Sequence, residues 1–219
     1  MNEFLAGSPV RGADGDLIYQ ASDGRNQLTL SFSDNGKTAA LSVGQCGVEY
    51  SNVKMIGIEL FQFSPEHDTL LIEGEDSQSK SSQARFQTQV TVRPRIEVHN
   101  HVKILSDTAI IEGINWHVLE SLMGSLGEIA PSGTITFQSE AGSRGTLELE
   151  IGEEGWSATA AFTVDGERLF NTTIEEVQFF NVSKDNQSLV LLAKAGNSSC
   201  LTRVTLRPEP SFDTTVHLF

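Results

Sequence analysis

Cysteine is nearly absent from this chain, basic charge is thin, and no long apolar run occurs. With only Cys46 and Cys200 in 219 residues, no disulfide framework of the kind that staples small secreted domains can be built, and two free thiols are expected. Lys and Arg number 15 against 29 Asp and Glu, a net charge of −14. Such a surface repels nucleic acid and anionic membranes, and the basic residues are scattered along the sequence, so direct nucleic-acid binding is not expected. Two Trp and two Tyr against twelve Phe is a core-filling usage; stacking platforms interleave aromatics with Arg and Lys. No apolar stretch of about eighteen residues occurs, and the start of the chain lacks a basic-then-apolar leader. The expectation is neither a membrane span nor a cleaved signal, with the cytoplasm, or a particle assembled there, as the compartment.

Catalytic signatures are missing too. There is no Gly-rich phosphate loop with Lys, no Gly-X-Ser-X-Gly elbow and no His-Glu-X-X-His. Gly124-Ser125-Leu126-Gly127 and Gly142-Ser143-Arg144-Gly145 miss the elbow by spacing. Asp14-Gly15-Asp16 and Asp23-Gly24 lack the spaced ligands of a calcium loop and read as turns. Asn171, Asn181, Asn186 and Asn197 each open an Asn-X-Ser/Thr triplet, which matters only in a secretory pathway. The chain is expected to be non-catalytic and to need no cofactor.

What the sequence does contain is a second copy of its own first half. Gly15 to Gly24 lies over Gly133 to Gly142 at an offset of 118, Arg25 to Gly74 over Arg144 to Ala193 at 119, and Arg85 to Pro94 over Ser199 to Pro208 at 114. Over these blocks 18 of 70 positions are identical, against about four for unrelated chains of ordinary composition. The best match is Val90-Thr91-Val92-Arg93-Pro94 over Val204-Thr205-Leu206-Arg207-Pro208. Cys46 falls over Asp165 and Cys200 over Phe86, so neither thiol was duplicated with its surroundings.

Each copy reads as strands between turns. Gln27 to Ser33 alternates apolar and polar residues, Asp34-Asn35-Gly36 tolerates positive φ, and Lys37 to Val43 returns, which predicts a hairpin with one buried face. The second copy repeats this with Leu147, Leu149 and Ile151 before Glu153-Glu154-Gly155, then Ser157 to Val164. A further pair is predicted from Met55 to Phe63 and Thr69 to Glu73, matched by Ile174 to Val182 and Ser188 to Leu192, with closing strands over Ala84 to Val92 and Cys200 to Leu206. One segment, Asn115 to Ala130, has apolar residues at helical spacing and ends before Pro131. The fold expectation is mainly β: a tandem duplication of a small antiparallel β-barrel or β-sandwich domain with one connecting amphipathic helix. Residues 1–105 form the first repeat, and residues 106–219 hold the linker helix and the second.

Two groups of side chains stand out as candidates. Glu97, His99 and His101 alternate onto one face of a strand, where two imidazoles and a carboxylate suit Zn²⁺ or Fe²⁺. A solvated polar strand face is the commoner use of such a pattern, and the second copy has Ser211, Asp213 and Thr215 there. Leu119, Leu122, Met123 and Leu126 form an apolar stripe on the helix, suited to packing locally or to an interface. The function expected is that of a structural or assembly protein forming a ring, tube or larger complex through self-association or protein partners. The alternatives are a tandem small-barrel module of pleckstrin-homology type binding a peptide or ligand, and a metal-dependent enzyme centred on Glu97, His99 and His101.

Overall fold

The computed structural model describes residues 9–33, 35–64, 68–76, 84–104, 115–141, 145–152, 157–183, 187–195, 197–206 and 210–218. The first copy supplies β1 (Val10–Arg11), β2 (Leu17–Ser22), β3 (Asn26–Phe32), β4 (Thr38–Gln45), β5 (Val48–Ile56), β6 (Leu60–Ser64), β7 (Thr69–Asp76), β8 (Ala84–Thr91) and β9 (Glu97–Ile104). The second supplies α1 (Trp116–Met123), β10 (Glu128–Ile129), β11 (Ile135–Ala141), β12 (Gly145–Ile151), β13 (Ser157–Val164), β14 (Glu167–Glu175), β15 (Phe179–Val182), β16 (Ser188–Ala195), β17 (Ser198–Thr205) and β18 (Ser211–His217). The expected β-rich duplication with one helix is therefore the fold.

The strands form two nine-stranded sheets, ordered β1-β2-β3-β4-β5-β18-β17-β16-β15 and β10-β11-β12-β13-β14-β9-β8-β7-β6. Each copy gives its first five strands to one sheet and its last four to the other, so the sequence division between residues 105 and 106 is not followed by the sheets. The joins are parallel and equivalent. In one, β18 pairs β5 from Phe212↔Ser51 to His217↔Ile56; in the other, β9 pairs β14 from Val98↔Phe170 to Lys103↔Glu175. The repeat offsets of 119 and 114 carry one register onto the other residue for residue. Every sheet end, at β1, β15, β10 and β6, has a single neighbouring strand. Among the described residues neither sheet closes into a barrel, and the sandwich is the form adopted.

The switch between sheets replaces a strand expected to run unbroken from Met55 to Phe63. β5 stops at Ile56, the chain turns through Gly57 at φ 92°, and β6 begins in the opposite sheet. A side chain at Gly57 would place its Cβ 2.6 Å from the Leu218 carbonyl oxygen. The equivalent residue, Glu176, takes the same left-handed turn at φ 60° between β14 and β15, where a side chain costs about 1–2 kcal/mol. The β4–β5 and β13–β14 hairpins are likewise matched. Cys46-Gly47 has φ 53° and 82°, Asp165-Gly166 has φ 51° and 81°, the two positive values of a type I′ turn.

Inward residues of both sheets merge into one core, including Leu28, Leu30, Leu41, Ile72, Phe86, Leu149, Phe162 and Phe170. Burying each such leucine or phenylalanine contributes about 1.5–3 kcal/mol. At the centre Phe212 of one sheet meets Phe170 of the other, ring centroids 5.1 Å apart, with Phe162 at 5.9 Å. A buried polar pair recurs at equivalent places: Thr88 donates to Asn100 Oδ1 at 2.9 Å, and Thr202 and Thr214 share a hydrogen bond at 3.1 Å.

The helix is shorter than expected. Asn115 caps its start by accepting from the Val118 amide at 3.3 Å, and Gly124 ends it in a left-handed conformation at φ 68°. Residues 125–130 leave the helix, and Glu128–Ile129 becomes the edge strand β10. The reason is the glycine at 124, which supplies the C-terminal stop. α1 packs on β11 of one sheet and β15 of the other, bridging the side of the sandwich. On the opposite side Phe32 meets Phe61 at 4.5 Å and Tyr19 at 6.2 Å, where the second copy has Ile151, Phe180 and Phe137.

Candidate functional site

Strand β9 alternates as expected, and its register explains what its polar residues do. Val98, Asn100, Val102 and Ile104 are buried, which turns Glu97, His99, His101 and Lys103 to the outer face. His99 Nε2 lies 3.1 Å from Glu97 Oε1, whereas His101 Nε2 lies 2.9 Å from Glu175 Oε1. Lys103 Nζ reaches the other oxygen of Glu175. The two imidazoles are therefore held by different carboxylates. Among the described residues no three of His, Cys, Asp and Glu stand together in a way that could hold a metal ion. The Glu97, His99, His101 set is not assembled as a ligand group, because the neighbouring strand offers Glu175 to His101. Burial works to raise the Glu175 carboxyl, but the hydrogen bonds and charges of Lys103 and His101 outweigh it and hold the carboxyl below the usual carboxylate range.

Beside this row the outer face forms a cleft of about 310 Å³, framed by Glu59, Glu73, Glu75, Arg85, Gln87 and His101. Glu73 faces Gln87 across β7 and β8, and Gln87 faces His101 across β8 and β9, so one row of three strands builds its floor. Gln87 Nε2 donates to Glu73 Oε1 at 2.5 Å. Leu60, at 41% exposure, forms the apolar rim.

The equivalent place on the other sheet has different chemistry. Glu59, Glu73, Glu75, Arg85, Gln87 and His101 become Gln178, Leu192, Lys194, Ser199, Leu201 and Thr215. Leu201 is 44% exposed and Lys194 is exposed beside it on β16. Nearby on β18, Asp213 stands where the first copy has His99. Burial and the charge of Glu49 raise its carboxyl above the ordinary range, with Arg203 opposing.

The helix stripe divides. Leu119, Leu122 and Met123 are buried in the chain's own core, and Leu126 is 76% exposed. Trp116 stacks on Phe137 at 6.4 Å between ring centroids, and with Leu126 and the exposed Ile129 it leaves apolar surface near β10. The acidic cleft and its apolar, basic counterpart were not foreseen from the sequence. The repeat alignment held the signal, since it sets Glu73 over Leu192 and, continued by one residue, Glu75 over Lys194. The remaining histidines are apart: His117 is 3.5 Å from Glu120 on the exposed helix side, His217 lies on β18, and His67 falls outside the described residues.

No protein-family model matches the chain, and no curated protein matches it. Among solved structures, a contact-dependent growth inhibition toxin–immunity protein complex from Klebsiella pneumoniae 342 aligns over 50% of this chain and 99% of its own, at 10% identity and a TM-score of 0.45. A crystal structure of a eukaryotic initiation factor aligns over 90% of this chain and 55% of its own, at 10% identity and a TM-score of 0.19. Neither likeness is close enough to inform fold or function. No helix among the described residues is long and apolar enough to cross a membrane.

Proposed function

We propose that this protein is a non-catalytic assembly protein whose copies associate head to tail, the outer face around Lys194 and Leu201 of one copy docking on the cleft around Glu59, Glu73 and Glu75 of the next. The observation that carries the reading is the divergence of two equivalent surfaces into complementary ones. One duplicated place holds three glutamates around a cleft; the other holds a lysine flanked by Leu192 and Leu201. A contact between two different patches of the same chain is heterologous, and repeats into a ring if its rotation closes or a filament if it does not. Charge complementarity sets the pairing and its register, and the leucines supply apolar area.

Light scattering across protein concentration tests this in the intact chain. Mass should rise with concentration, fall on Lys194→Glu or Leu201→Asp, and recover when Lys194→Glu is mixed with Glu75→Lys. A monomer at every concentration would sink the reading. It would leave the same cleft as a receptor for a basic peptide of another protein, the binding-module alternative, on two open sheets in place of small barrels.

A further inference from the structure

A cationic notch lies at one end of the sandwich, away from the outer cleft. Although basic residues are scattered in sequence, Arg25, Arg95 and Arg168 all line one small cavity there, together with Gln45 and Glu167. Its volume is about 10 Å³, room for one water-sized atom. The arginines come from different sheets, and Asp23 brings two of them together. Its Oδ1 accepts from the backbone amides of Arg25 at 2.9 Å and Asn26 at 2.7 Å, and its Oδ2 accepts from the backbone amide of Ile96 at 2.8 Å and from Asn26 Nδ2 at 3.0 Å. One carboxylate thus ties the β2–β3 turn to the loop before β9. Burial works to raise Asp23, and these donors outweigh it and keep the carboxyl below its ordinary range.

The existing ion pairs leave cationic capacity in the notch. Arg95 meets Glu167 only loosely, at 3.9 Å, and Arg168 Nη2 lies 3.3 Å from Glu148. The Arg25 guanidinium has no ion-pair partner among the described residues. Gln45 is 6% exposed, and its side-chain amide makes no hydrogen bond among the described residues. Gln45 lines the notch, so its side-chain amide can donate to an acceptor that enters. Nor is the notch a by-product of the duplicated fold: the residues equivalent to Arg95 and Arg168 are Glu209 and Glu49, opposite in charge.

We propose that this notch binds a phosphate group, one oxygen entering to the Gln45 amide while the guanidiniums of Arg25, Arg95 and Arg168 hold the others. Planar guanidinium forks match phosphate oxygens in pairs, and an incoming oxygen displaces the loose Glu167 contact. The group is either free phosphate or the end of a phosphate monoester.

The test uses the full chain, with backbone amide shifts of Arg25, Gln45 and Ile96 followed by NMR as inorganic phosphate is added at ionic strength held constant with sodium chloride. Saturable shifts confined to these amides are expected, weakened by about tenfold or more in Arg25→Gln and further in Arg95→Gln plus Arg168→Gln. Arg25 is exposed, so its variant keeps the fold, which the unchanged remainder of the spectrum verifies. A parallel titration with phenyl phosphate separates the sources: tighter binding than inorganic phosphate assigns an ester, and weaker binding assigns the free ion. Shifts that rise linearly, that chloride reproduces, or that persist unchanged in Arg25→Gln would overturn the proposal.

Discussion

At the junction of β9 and β14 the outer face reads Glu97, His99, His101 and Lys103 beside Asn171, Thr173 and Glu175. At the junction of β18 and β5 the equivalent positions read Ser211, Asp213, Thr215 and His217 beside Asn52, Lys54 and Ile56. Only the asparagine is shared. Beneath these faces the register is identical and the buried Thr88–Asn100 pair answers Thr202–Thr214. Aromatics from both sheets fill the centre at non-equivalent places, Phe212 beside Ser51 in one and Phe170 beside Val98, with Phe162, in the other. Inward residues are bound by close packing, where a change of one methylene is felt; outward residues are not. The duplicated backbone is therefore maintained from inside, while the outer surfaces are where the two halves acquire different chemistry.

The largest effect should come from the one element that the halves do not share among the described residues. Leu122→Asp puts a charge into the bridge that α1 makes between the sheets and should cost about 4–5 kcal/mol, enough to unfold the chain, whereas Leu126→Asp should leave chemical denaturation unchanged. Equal denaturation midpoints for the two would show that the helix does not close the sandwich. Next, Phe212→Ala should cost about 3–4 kcal/mol through the cavity it leaves against Phe170. Its equivalent, Val98→Ala, should cost less than half as much by the same measurement, because the smaller side chain leaves a smaller cavity.

The turns give a smaller effect in the favourable direction. Cys46 holds a left-handed conformation that its equivalent, Asp165, occupies with a residue better suited to it, so Cys46→Asn should stabilise by about 0.5–1 kcal/mol in urea denaturation. Smallest are the junction carboxylates, worth a few tenths of a kcal/mol at partly exposed positions, but of opposite sign. Glu175 is depressed in the folded state, so as pH falls the unfolded chain takes up its proton first. Its contribution is present above the unfolded value and is lost as pH falls through the folded one. Asp213 is raised, so its contribution is present below the unfolded value and is lost as pH rises through the folded one. Melting curves across acid pH should therefore show Glu175→Gln flattening the loss at low pH and Asp213→Asn slightly stabilising near neutrality; the same sign for both would contradict the assigned surroundings.

The duplication, the strand-rich pattern and the β3–β4 hairpin were legible because alternation and turn residues are local signals. The exchange of strands between sheets was not. Alternation shows that β5 has a buried face but says nothing about which strand lies beside it, and its neighbour β18 comes from the far end of the chain. Gly57 hints at a break, but Glu176 at the equivalent turn does not, and the apolar residues continue on both sides. The same limit applies to sites. Glu97, His99 and His101 share a face, as their spacing implied, but Glu175 arrives from the other repeat and takes His101. The three arginines of the notch look scattered until Asp23 ties the Arg25 turn to the Arg95 loop and the start of β14 brings Arg168 to the same cavity.

Producing residues 1–105 and 106–219 as separate chains, and recording circular dichroism, thermal melting and light scattering for each alone and for the mixture, tests most directly whether both copies build both sheets. Shared sheets predict that neither half is a folded monomer. Each should be unfolded or fold only as a dimer that regenerates the parallel junction, and the equimolar mixture should regain a cooperative one-to-one complex. A half that melts cooperatively as a monomer would contradict the shared sheets and restore two independent domains.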